Sequence, residues 1–84
     1  MNDVKLIRSL KRGQRGALDR AIACYSGYAA AVARSVLGNA ATREDLEEIV
    51  SDVFVALWRT AERLDEGKPL KGYLAAIARN ASVD

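Results

Sequence analysis

Residues 42–59 read Thr-Arg-Glu-Asp-Leu-Glu-Glu-Ile-Val-Ser-Asp-Val-Phe-Val-Ala-Leu-Trp-Arg, and this stretch decides the fold. At helical period Leu46, Ile49, Val50, Val53, Phe54, Leu57 and Trp58 share one face. Glu44, Glu47, Glu48, Ser51 and Asp52 fall largely on the other. Thr42 followed by Asp45 gives the hydroxyl-x-x-acid signal of a helix start. The early carboxylates also suit the positive end of the helix dipole. One helix therefore supplies the heaviest apolar side chains and the densest acidic surface. It is the expected centre of the core and the best candidate for a partner surface.

The rest of the chain fits around such a helix. Its 84 residues are enough for one domain, and a chain this short needs an efficient core. Hydrophobic residues make up 50% and charged ones 29%, with a single proline, which favours a mostly helical protein over a disordered one. One cysteine, Cys24, excludes an internal disulfide, and its apolar helical setting predicts a buried thiol. No apolar run approaches the ~20 residues of a membrane span. The start Met-Asn-Asp-Val-Lys has no signal-peptide core, so a cytoplasmic protein is expected.

Upstream, Asp3 is placed to cap a short helix over residues 4–12, with Val4, Ile7 and Leu10 on one side. Gly13-Gln14-Arg15-Gly16 predicts a turn. A long helix follows over 17–37, where Leu18, Ile22, Tyr25, Ala29, Val32 and Val36 form a stripe roughly 30 Å long. The small residues Ala29, Ala30, Ala31 and Ala33 would let a neighbouring helix approach closely. Gly27 costs helix propensity there, and close packing would account for it. Gly38 supplies the stop.

Downstream, the acidic helix is expected to run on to about Leu64. After the turn Asp65-Glu66-Gly67-Lys68, Pro69 fits the first turn of a last helix, with Leu70, Tyr73, Leu74, Ile77 and Ala81 toward the core. No stop signal precedes Asp84, which suggests a chain cut at its C-terminus. The expected fold class is all-α, a compact bundle of about four helices, one short and three longer.

Charge is unevenly spread. Lys and Arg dominate residues 1–42, acids dominate 43–60, and the remainder is balanced. Two differently charged surfaces follow. Catalytic chemistry finds little footing. There is no histidine, no thiolate cluster, no phosphate-cradling glycine loop, and no base beside Ser26 or Ser51. The expectation is a binding protein, not an enzyme, with no cofactor and no metal.

The segment from Glu44 to Trp58 resembles region 2 of bacterial sigma-70 family factors, most closely the extracytoplasmic-function type. Three other features agree in order: Leu10 to Leu18 with Gly13 and Ala17, a tyrosine-bearing long helix ending Val36-Leu37-Gly38, and Pro69 to Asn80, similar to the family's aromatic-Leu-x-x-Ile-Ala-x-Asn. The resemblance implies a region 2 domain over residues 1–84, without the −35-recognition domain of a full member. It implies docking on the coiled coil of the core RNA polymerase β′ subunit through Glu48, Ser51 and Asp52, flanked by Glu44, Glu47 and Val55. The family usually has glutamine where Ser51 stands, and serine reaches less far.

It also implies recognition and melting of the promoter −10 element, with capture of an unstacked non-template base. Lys68, Lys71, Arg79 and Asn80 match as polar contacts. Tyr73 stands where tryptophan is common, and its register serves core packing as well as DNA contact. Trp58, Phe54, Tyr25 and Tyr28 read mainly as packing residues. Arg8, Arg12, Arg15 and Arg34 offer general phosphate attraction or a solvated face. An anti-sigma protein is a plausible regulator by the same resemblance. The alternative is a helical interaction module that keeps the docking face without binding DNA.

Overall fold

The computed structural model describes residues 3–83. Four helices follow one another: α1 (Val4–Lys11), α2 (Arg15–Leu37), α3 (Arg43–Thr60) and α4 (Leu70–Ser82), and no strand occurs among the described residues. Single 3-10 turns, Gly38–Ala40 and Ala61–Arg63, follow α2 and α3. This is the expected all-α bundle. α2 packs against each of the other helices, α3 packs on α4, and α1 packs on α2 and on the turn after α3.

The boundaries have local causes. α1 ends in a Schellman turn, with Gln14 N–H bonded to the Ser9 carbonyl at 3.1 Å and Gly13 N–H to Leu10 at 3.0 Å. Gly13 takes φ +73° to make it. The turn is tighter than the glycine spacing suggested, so α2 already begins at Arg15. Gly38 stops α2 with φ 75° and ψ −161°, a region open essentially to glycine alone. α3 opens with a complete capping box: Thr42 Oγ1 accepts from Asp45 N–H at 3.1 Å, and Asp45 Oδ2 accepts from Thr42 N–H at 3.0 Å. The expected α-helix to Leu64 instead ends at Thr60 and tightens into the 3-10 turn. Pro69 sits at the N-cap of α4 with extended backbone, one position before the helical turn expected for it.

One apolar core runs through the bundle. Ile7, Leu10, Val53, Leu57, Leu70 and Leu74 are its largest fully buried side chains. Each contributes about 1.5–3 kcal/mol by leaving water. On α2 the buried row is Ala17, Ala21, Tyr25, Ala29 and Ala33, with Val32 beside it. This row at four-residue spacing, alanine at every position but Tyr25, lets three helices crowd against α2. The stripe expected from the larger residues is therefore rotated. Tyr25, Ala29 and Val32 hold, but Leu18 is only half-buried, and Ile22 and Val36 are 37% and 38% exposed. Cys24 is exposed as well, contrary to its apolar setting, because the rotation turns its side of α2 outward. Gly27 is also exposed, and an added Cβ would meet nothing within 4 Å, so close packing does not explain it.

On α4 the buried residues are Leu70, Leu74, Ala75, Ala78 and Ser82, while Tyr73, Ile77 and Ala81 are half-buried. The first half of this seam is filled by Leu70 and Leu74, and the second by the small residues Ala75, Ala78 and Ser82.

Candidate nucleic-acid and partner interface

α3 positions the first group of candidates. Its capping box fixes the start, and burial of Leu46, Ile49, Val53, Phe54 and Leu57 fixes the rotation. Glu44, Glu47, Glu48, Ser51, Asp52 and Val55 are then all exposed. Three-and-four spacing brings Glu44, Glu48, Ser51, Asp52 and Val55 onto one crest, with Glu47 at its edge. The carboxylates are not equivalent. Glu47 pairs with Arg43 at 3.1 Å. Asp45 is engaged in the capping box, and hydrogen bonding from the Thr42 backbone N–H and then its side chain holds its carboxyl below the ordinary range. Among the described residues Glu44, Glu48 and Asp52 make no ion pair, so their charge is available to a partner.

Recesses flank this crest. Toward α2 lies an open groove of about 850 Å³, almost wholly apolar, lined by Leu18, Ile22, Val50, Ser51, Val55 and Trp58 among others. Trp58 thus packs on the core with one side and faces this groove with the other. Toward the end of α4, a recess of about 590 Å³ is lined by Asp45, Glu48, Asp52 and Ser82. The groove residues Leu18 and Ile22 escaped sequence reasoning because they were assigned to the core stripe.

The second group lies along α4 and the loop before it. Lys68, Lys71, Arg79 and Asn80 are exposed and Tyr73 is half-buried. They do not converge on one point. Lys68 precedes the helix, whereas Arg79 and Asn80 lie near its far end, roughly 15 Å away at helical rise. Tyr73 and Asn80, seven residues apart, share one edge. Lys71 is turned toward α2, with its Nζ 5.0 Å from the centre of the Tyr28 ring, a cation–π contact. The arrangement is a track, not a pocket.

The start of the track has concave shape. A cavity of about 390 Å³ is lined by Ile7, Arg63, Leu64, Asp65, Lys68, Pro69, Leu70, Gly72 and Tyr73. Tyr73 is anchored there: its hydroxyl bonds to Thr60 Oγ1, whose own proton goes to the Ala56 carbonyl at 2.8 Å. Tyr73 is therefore the donor, since the threonine has a single proton to give. Arg63 was not singled out from sequence, and Pro69 was read only as a helix start. The signal was present in Arg63 and Lys68 flanking the Asp65-Glu66-Gly67 turn.

Arg8 plays a different part from the phosphate attraction suggested by its charge, because its Nε bonds to Glu66 at 2.6 Å. Among the described residues no cluster of acidic or cysteine side chains could hold a metal ion, and no helix is long and apolar enough to cross a membrane.

The family model for Sigma-70 region 2 matches residues 21–84. No curated protein and no solved structure matches the chain significantly. The match spans most of the chain, including α3, α4 and the loop between them. The chain therefore belongs to the sigma-70 family as a region 2 domain, and its role lies in RNA polymerase binding and promoter recognition, by binding and not by catalysis.

Proposed function

From this family membership we propose that the chain is the polymerase-docking and promoter-opening domain of an extracytoplasmic-function type sigma factor. The crest of α3 lies on the coiled coil of the polymerase β′ subunit. The carrying observation is that Glu44, Glu48 and Asp52, three α3 carboxylates that make no ion pair among the described residues, share one exposed crest with Ser51 and Val55. Such a row complements arginine and lysine on a partner helix. Val55, 53% exposed, adds an apolar contact at the end of the row. Ser51 leaves space that a longer amide would fill, so this contact is weaker than the family's usual one.

The loop before α4 and the outer face of α4 handle the −10 element. An unstacked non-template base enters the cavity beside Tyr73 and Lys68, whose volume falls within the ordinary range for small ligand sites. Arg79 and Asn80 continue the contact along the strand. The site of action is the cytoplasm, with core polymerase, and an anti-sigma protein that covers the α3 crest would compete with docking.

Separate titrations with a β′ coiled-coil fragment and with a single-stranded −10-like oligonucleotide test this reading. Both are expected to bind, the oligonucleotide more weakly as salt rises. Docking without any oligonucleotide binding would favour an interaction module that has lost its DNA function. Absence of docking would remove the reading altogether.

A further inference from the structure

We propose that α1 is a positioning clasp for the 64–70 loop, with Asp3, Arg8 and Lys11 as its contact points and discrimination of the captured base as the property it sets. The base-reading part rests on the function proposed above. Three charged side chains from one short segment reach this one loop. Lys11 Nζ donates to the Leu64 carbonyl at 2.8 Å. Arg8 Nε donates to Glu66 Oε1 at 2.6 Å. Asp3 Oδ2 accepts from Leu70 N–H at 3.3 Å, while its other oxygen accepts from the Tyr25 hydroxyl at 2.6 Å. Ile7, almost wholly buried on the same helix, lines the cavity that the loop encloses.

Each contact meets a need of the loop. Pro69 makes no side-chain cap for α4, and the first helical N–H, on Leu70, takes its acceptor from Asp3 instead. Asp3 makes no capping bond to its own helix, contrary to the sequence expectation, because its carboxylate is used here. A carboxylate at that end of α4 also suits the helix dipole. Leu64 and Glu66 bracket Asp65, whose carboxylate accepts from Gly67 N–H at 2.8 Å and whose carbonyl accepts from Lys68 N–H at 3.1 Å. The clasp thus holds both flanks of the loop's own turn. A preorganised loop spends less binding energy on ordering and discriminates better.

Hydrogen exchange in the free protein and oligonucleotide binding test the proposal together. In Lys11→Met the Leu64, Gly67, Lys68 and Leu70 amides are expected to exchange about tenfold faster. Core amides of α2 and α3 should be unchanged, and Lys11→Arg should restore the slow rate. Arg8→Ala is expected to give a smaller rise, about threefold, because that pair is exposed. The affinity ratio between a −10-like oligonucleotide and one with the captured base replaced should fall about fivefold or more in Lys11→Met. Unchanged loop exchange in both variants would overturn the clasp. Faster exchange with an unaltered ratio would overturn its role in base discrimination. A wild-type chain without base preference would count against the −10 reading itself, whereas loop exchange, read without DNA, judges the clasp separately.

Discussion

The Tyr25 hydroxyl donates a 2.6 Å hydrogen bond to the Asp3 carboxylate, 22 residues earlier in the chain. Burial of the ring, and then the bond and charge of Asp3, push the Tyr25 pKa up from 10.0 to about 12. The folded state therefore keeps a proton that the unfolded chain releases above pH 10.0. Stability from this group is complete below that pH and is lost as pH rises toward about 12. Denaturant titrations across this window should show an alkaline decline that Tyr25→Phe flattens. The variant should also cost about 1 kcal/mol at neutral pH, through the lost hydrogen bond.

The capping box of α3 gives an acid counterpart. Thr42 holds the Asp45 carboxyl below its ordinary range. Its contribution is present above the unfolded carboxylate pKa and is lost as pH falls through the depressed folded value. Asp45→Asn should therefore narrow the difference between neutral and acid stability, measured by urea unfolding. Thr42→Ala should lower stability by about 1 kcal/mol at neutral pH.

The alanine seam of α2 makes a third prediction. Ala33 is fully buried, and Ala33→Leu should destabilise the bundle by about 1–3 kcal/mol through overpacking. Val36→Ala, at a more hydrophobic but exposed position, should change stability by no more than about 0.5 kcal/mol. Thermal unfolding of the two variants separates this register of α2 from one with Val36 in the core.

Cys24 extends the same point. Its exposure predicts that a thiol reagent labels the native protein at a rate close to that of the unfolded chain. Protection by folding, followed by mass spectrometry, would place the residue back in the core.

Much of this was legible in the sequence. The four helices, the α3 cap and the exposed acidic crest follow from period and capping chemistry, because Leu46, Ile49, Val53 and Leu57 are large and the opposing residues are charged. The rotation of α2 was not legible. Periodicity weighs Ile22 and Val36 above Ala21 and Ala33, but a crowded seam selects for small volume, which hydrophobicity does not record. The placement of Asp3, Arg8 and Lys11 on the 64–70 loop was also out of reach. These contacts join residues 53 to 67 positions apart, and nothing local marks a charged side chain as spoken for. The candidate DNA residues were each placed on exposed or half-buried positions, but their distribution as a track depends on the helix rotation that only packing sets.

The central claim is that the α3 crest docks on the polymerase β′ coiled coil. Its most direct test is the affinity of the chain for that coiled-coil fragment after Glu48→Lys together with Asp52→Lys, with helical content checked by circular dichroism. Reversing both charges should weaken binding by about tenfold or more. A control reversal at the exposed Glu62, outside the crest, should leave it unchanged. Wild-type affinity in the Glu48→Lys, Asp52→Lys variant would contradict the assignment of the docking surface.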